Sequence, residues 1–186
     1  IKDNALDLDD VKIIDPKSNE QAITRNQFGD VLFEKRKRKG MTLNEAQKLM
    51  RERNYFGSMM VDQGKADAFI SGISRNYPST LRPALQIIGT EEGVDKVAGM
   101  FILNTKKGTL FLADTTININ PTSEELANLA ILTAKTVRRF NVVPRIALLS
   151  YSNFGSSMNS IVAKITDALK LINDIEPNLS VEGEIQ

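Results

Sequence analysis

The sequence predicts a layered α/β chain with a domain boundary near residue 90, on three observations. Apolar runs of strand length alternate with stretches whose apolar residues recur at helical spacing. Two of the helical stretches open with a Thr and a Glu three residues apart, the spacing of a capping box. The texture changes at "GTEEG" (89–93), whose glycines and charges read as a linker or turn. In such an arrangement ligands are expected at the carboxyl ends of strands.

The elements follow in order. Val11 to Ile14 is a short strand closed by "DP", and Asn26 to Lys39 is helical. Gly40 separates this helix from the next. Thr42 and Glu45 then form a capping box, and Leu43, Ala46, Leu49 and Met50 fall on one face. "NYFGSMMVDQG" (54–64) is a third helix stopped by Gly64, and Ala66 to Ser71 is a strand ending in "SG". "PSTLRPALQIIG" (78–89) is a fourth helix, with Pro83 expected near its first turn, where a missing N–H is harmless.

Beyond residue 90, Val97 to Leu103 and Thr109 to Ala113 are strands joined by "NTKKG", a loop of hairpin length. Thr122 and Glu125 make the second capping box, with Leu126, Leu129, Ala130, Ala134 and Val137 facing a core and Arg138 and Arg139 suiting the helix dipole. Arg145 to Leu149 is apolar enough for a buried strand, Ile161 to Ile172 repeats at helical spacing, and "VEGEIQ" reads as a strand entering a loop.

Composition removes several function classes. The 186 residues are 41% hydrophobic and 25% charged with a formal net charge of +1, so bulk charge draws neither nucleic acid nor anionic lipid. Cys and His are absent. A disulfide, a thiolate zinc cage, a Cys nucleophile and a Ser-His-Asp triad are therefore impossible within this sequence. No apolar stretch approaches the roughly 20 residues of a membrane span, and a cytoplasmic location is expected. The sequence opens at Ile1 and stops at Gln186. It reads as a fragment.

Three small-residue loops sit where a ligand is expected: "SGISRNYPSTLR" (71–82), "DTTININPT" (114–122) and "SYSNFGSS" (150–157). The last offers the hydroxyls of Ser150, Ser152, Ser156 and Ser157, with Gly155 for close backbone approach and the N–H groups of the following helix. Those features suit a phosphate, and they equally suit a loop that only caps its helix. Arg82, placed in the first turn of its helix, opposes the dipole there. A bidentate anion would compensate it, as would exposure to water. Ser71, Arg75 and Tyr77 reach the same space. Asp114, at a strand exit, orients a ligand, acts as a base or simply forms a turn. "EKRKRKG" (34–40) is foremost a basic helix end favoured by the dipole and not a nucleic-acid site, although Arg36 alone can point elsewhere.

"FEKRKRKGMTLNEAQKLMRERNYFGSMMVDQGKADAFISGISRNYPSTLRPALQIIGT", continued by "LFLADTTININPTSEELANLAILTAKTVRRF" and "PRIALLSYSNFGSS", resembles the phosphotransacetylase (phosphate acetyl/butyryltransferase) family over roughly residues 25 to 186. "VEGEIQ" resembles that family's "DGE" element, and Ala68 replaces a Gly common in its "ADG". "RNYPS" and the "NFGS" after "SYS" are most similar to the C-terminal phosphotransacetylase-like domain of bacterial NADP-dependent malic enzymes. In those hybrids another part of the protein decarboxylates malate oxidatively to pyruvate with NADP and a divalent metal.

The resemblance implies a two-domain layered α/β fold of the isocitrate/isopropylmalate dehydrogenase-like type, of which 1–90 and 91–186 are parts of the first and second domains. It implies that Arg36 and Arg82 help bind phosphate and coenzyme A; Ser71, Arg75, Asp114, Ser150, Ser152 and Ser156 are the further ligand-binding residues expected from the loops. The family's catalytic Ser-Arg pair and Asp are expected beyond residue 186, and no metal or cofactor is implied for residues 1–186 themselves. The expected function is a regulatory domain holding acetyl-CoA or acetyl phosphate in a homo-oligomeric malic enzyme. The alternative is a fragment of an active phosphate acetyltransferase, and a third reading gives the domain a role in assembly alone.

Overall fold

The computed structural model describes residues 11–94, 96–157 and 159–186. The chain divides into two compact units, one ending at Glu91 and the other beginning at Glu92.

The described part of the first unit is built from helices. α1 (Ala22–Arg36) runs into a 3-10 turn (Lys37–Lys39) that Gly40 ends in the left-handed conformation at φ 85°. α2 (Leu43–Leu49) starts at the predicted capping box, with Thr42 Oγ1 accepting from the Glu45 N–H and the Glu45 carboxylate accepting from the Thr42 N–H. α3 (Arg53–Asp62) and α4 (Tyr77–Ile87) follow. Phe28 and Leu32 of α1, Ala46 of α2, Phe56 and Met59 of α3 and Ile87 of α4 share one core with Met50. The rings of Phe28 and Phe56 meet in a tilted pair with centroids 5.2 Å apart. Lys35 ties three helices together, donating to Asp62 Oδ1 at 2.6 Å and to the Ile87 carbonyl at 2.9 Å.

The strands expected at 11–14 and 66–71 are not formed. Neither segment has a ladder partner among the described residues, and a single extended segment leaves its backbone groups to water. Val11, Ile13 and Ile70 are accordingly exposed.

The second unit is α/β. β1 (Met100–Thr105) and β2 (Gly108–Ala113) form an antiparallel hairpin in the register Thr105↔Gly108, so its turn is Lys106 and Lys107. α5 (Ser123–Arg138) begins at the second capping box, Thr122 with Glu125. β3 (Arg145–Leu149), α6 (Ser160–Ile175) and β4 (Ser180–Ile185) form a parallel β-α-β unit, with Arg145 opposite Ser180 and Ile146 opposite Val181. Ala127, Ala130 and Ala134 of α5 pack with Ile165, Ala168 and Ile172 of α6 over Leu148 of β3. Small residues on α5 let the two helices approach closely. Leu129, Ala130, Ala134 and Val137 are buried as expected, while Ala127 takes the place expected of Leu126, which only borders the core.

Candidate functional site

In the first unit the chemistry gathers around the N-termini of α3 and α4. Asn76 caps α4, its Oδ1 accepting from the Ser79 N–H at 3.0 Å. Because the helix starts at Tyr77, Arg82 is its sixth residue and not part of the first turn, and its conflict with the dipole is smaller than the sequence suggests. Pro83 likewise lies inside the helix, buried. A proline there has no N–H for the carbonyl four residues back, which is that of Ser79. The Asn54 side chain supplies the missing donor, its Nδ2 lying 2.9 Å from the Ser79 oxygen, and Asn54 Oδ1 accepts from Ser71 Oγ at 2.8 Å.

A concavity of about 180 Å³ opens beside these groups, lined by Asn54, Tyr55, Arg75, Arg82 and Pro83 among others. It is smaller than the roughly 300–1,000 Å³ that encloses a drug-sized ligand, and it suits a small anion or one group of a larger molecule. Arg75 has only a loose ion pair, 4.0 Å to Glu52, and both side chains are solvated. Tyr55, 9% exposed, donates its hydroxyl to Gln86 Oε1 at 2.7 Å. Burial pushes its phenol above the ordinary value of 10.0, while the cations of Arg82 and then Arg36 pull it back. Both arginines therefore act on one ring. Arg36 does not line the concavity, and its Nε is buried without a hydrogen-bond partner. Of its basic neighbours, Lys35 pairs with Asp62 and Lys37 with Glu34.

In the second unit the serine loop already encloses an anion, the carboxylate of Glu184 on β4. Glu184 Oε1 accepts from Ser152 Oγ at 2.7 Å and from the Gly155 N–H at 2.7 Å. Gly155 reaches it at φ 87°, a conformation that favours glycine. Since the Ser152 hydroxyl proton is committed to Glu184, Ser156 Oγ donates to Ser152 Oγ at 2.8 Å and itself accepts from the Asn153 N–H at 3.0 Å. The result is a directed relay from backbone to carboxylate. Glu184 Oε2 is buried and unpartnered. Ser150 Oγ accepts from the Ser152 N–H at 3.3 Å, and Asn159 takes the first N–H groups of α6.

Of the phosphate cradle expected from Ser150, Ser152, Ser156 and the start of α6, the Ser152 and Ser156 hydroxyls and the first N–H groups of α6 have protein partners, while Ser150 Oγ only accepts. Asp114 acts as a turn former, at φ 56° with Oδ1 accepting from the backbone and side chain of Asn118. The structure gathers Ser71, Arg75 and Arg82 around Asn54 and its concavity, with Arg36 nearby through Tyr55. Asn54 and Glu184 were missed by sequence reasoning. Pro83 inside a helical pattern was a signal for Asn54, because an interior proline leaves a carbonyl in need of a donor.

The phosphate acetyl/butaryl transferase family model matches residues 1–186. The chain is 40% identical over 185 residues to the phosphate acetyltransferase of Bacillus subtilis, covering 100% of this chain and 56% of that protein. It is 36% identical over 181 residues to the Helicobacter pylori phosphate acetyltransferase, covering 97% of this chain and 34% of that one. The EutD phosphotransacetylase from Staphylococcus aureus superimposes with a TM-score of 0.80 at 34% identity, over 100% of this chain and 56% of that structure. The chain belongs to the phosphate acetyl/butyryl transferase family. It spans about half the length of the Bacillus relative, and the relatives named here are phosphate acetyltransferases and not malic enzymes.

Proposed function

We propose that this chain is the anion-holding part of a phosphate acetyltransferase, a protein that moves an acetyl group between acetyl phosphate and coenzyme A. The observation that carries the reading is the small concavity beside α3 and α4 lined by the guanidinium groups of Arg75 and Arg82. Two planar guanidinium groups suit the phosphate of acetyl phosphate, because each fork can meet two of its oxygens at once. In the transfer a thiolate forms the C–S bond, the C–O bond to phosphate breaks, and phosphate leaves with the electron pair. Fixed cations stabilise that leaving charge without a covalent intermediate. On this reading the groups that activate the thiol lie outside residues 1–186. The two compact units are pieces of two layered α/β domains of the isocitrate dehydrogenase-like type, in a cytoplasmic homo-oligomer.

The test is thioester formation from acetyl phosphate and coenzyme A by the intact protein. Turnover in which Arg82→Ala raises the KM for acetyl phosphate about tenfold to a hundredfold supports the proposal. Absence of thioester in the intact wild type refutes it.

A second reading rests on "RNYPS" and "NFGSS", of which Arg75 lines the concavity, while Tyr77 is exposed and Phe154 is exposed at φ 42°. Here the chain is the regulatory domain of an NADP-dependent malic enzyme and binds acetyl-CoA or acetyl phosphate without turnover. NADP and the divalent metal would serve another part of that protein. Among the described residues no three His, Cys, Asp or Glu side chains converge, so these residues do not fit a metal and no step runs through one. Acetyl-CoA binding that alters malate oxidation, with no thioester formed from acetyl phosphate, selects this reading.

A further inference from the structure

We propose that Asn54 is a positioning residue for the cationic concavity, holding Arg75 and Arg82 in register for a phosphate-bearing anion. The inference rests on the anion-holding reading above and names the group that makes it geometrically possible. Arg75 sits on the loop that runs from Ser71 to the helix cap Asn76, and Arg82 sits on the helix α4 that follows. The loop's far end is fixed to α4 by Asn76, which takes the Ser79 N–H and whose own carbonyl accepts from Ser79 Oγ at 2.9 Å. Its near end is fixed by Asn54, which accepts from Ser71 Oγ at 2.8 Å.

The other half of the same amide donates to the Ser79 carbonyl at 2.9 Å. That oxygen is available because Pro83 cannot bond it, so the proline and the asparagine form a matched pair. One planar amide on α3 thus ties both the loop and α4 to a third element. An amide suits the task because it offers a donor and an acceptor on one rigid plane, which a carboxylate or hydroxyl of the same reach does not. Without it, the loop carrying Arg75 keeps its attachment at the helix cap and the loose 4.0 Å pair of Arg75 with Glu52, and the two cations are held less firmly at their separation.

The matched pair supplies a test that a merely structural role would not satisfy. Calorimetric titration of the full-length protein with inorganic phosphate is made on wild type, Asn54→Ala, Pro83→Ala and the double variant. Asn54→Ala weakens phosphate binding about tenfold. In the Pro83→Ala background, where the helix supplies its own N–H to Ser79 and only the Ser71 tie remains to be lost, the same substitution weakens it by a smaller factor, about threefold to fivefold. Equal affinity of Asn54→Ala and wild type, or an undiminished loss in the Pro83→Ala background, overturns the proposal. Asn54→Asp, which keeps the acceptor for Ser71 but sets an oxygen against the Ser79 carbonyl, also weakens phosphate binding should the alanine variant fail to fold. If wild type binds no phosphate, the anion-holding reading falls, and the positioning claim is read from amide hydrogen exchange over residues 74–79. There Asn54→Ala speeds exchange about tenfold in the wild-type background and by a smaller factor, about threefold to fivefold, beside Pro83→Ala. Unchanged exchange overturns the positioning claim by itself.

Discussion

Ser152 donates its hydroxyl to Glu184 Oε1 across 2.7 Å, with the two residues 1% and 2% exposed. They stand at opposite ends of the β3-α6-β4 unit in sequence, and the parallel pairing of β3 with β4 brings them together. Glu184 is therefore the post around which the serine loop is wound. Glu184→Ala removes the shared acceptor of Ser152 and Gly155 and is expected to cost about 3 kcal/mol. Glu184→Gln keeps an oxygen at that place and should cost about 1 kcal/mol or less. Chemical denaturation midpoints measure both, and a glutamine variant as damaged as the alanine one would contradict this account of the loop.

Gly29 lies inside α1, where Gly→Ala ordinarily stabilises an exposed helix by about 1 kcal/mol. Here a Cβ would stand 2.9 Å from Gln47 Cα of α2, and a helix backbone cannot step aside as a side chain can. Gly29→Ala is expected to destabilise the protein by about 1–3 kcal/mol instead. A raised thermal midpoint would show that α1 and α2 do not pack this closely.

Tyr55 reports on the two arginines. Its phenol is raised by burial and lowered by Arg82 and Arg36, so Arg82→Ala should move its ionisation to higher pH in a spectrophotometric titration. The linked stability is fully present below about pH 10, the unfolded value, and is lost as pH rises toward the higher folded value. A midpoint that does not rise in the variant would mean that the Arg82 charge does not act on this phenol.

Glu45 and Glu125 both ionise below the ordinary carboxylate value of 4.5. For Glu45 the cause is the Thr42 backbone N–H and then its hydroxyl. For Glu125 it is the Lys96 ammonium first and the Thr122 N–H second. Lowered folded values give stability that is present above the unfolded value and lost as pH falls through the folded one, so the loss falls below about pH 4.5. Carboxyl titration by NMR should find both midpoints lowered, and Lys96→Met should return the Glu125 midpoint upward while leaving Glu45 unchanged. Thr42→Ala, which removes a helix cap, is expected to cost about 1 kcal/mol at neutral pH.

Much of the local structure was legible because it depends on neighbours in sequence. The boxes Thr42/Glu45 and Thr122/Glu125 are such cases, since a cap joins residues three apart and needs no tertiary partner. The β1–β2 hairpin was legible for the same reason, although the strands run through part of the expected "NTKKG" loop to a two-residue turn that sets their register. Two expected strands failed because an extended segment is stable only beside a partner, and 11–14 and 66–71 find none among the described residues. Apolar composition alone could not supply one.

The candidate site shows the same division. Sequence marked Arg75, Arg82 and the serines by type and placement, and motif resemblance selected Arg36 from a run of basic residues. Only the folded chain decided that Ser152 and Ser156 face Glu184, that Asn54 completes the carbonyl freed by Pro83, and that Arg36 and Arg82 act on one tyrosine. Hydrogen bonds and Coulomb forces act over a few ångströms of space whatever the separation along the chain. Backbone propensity and capping are fixed by adjacent residues, so the sequence by itself determined the helices and the hairpin; the partner each hydroxyl, amide and guanidinium meets was decided by tertiary packing.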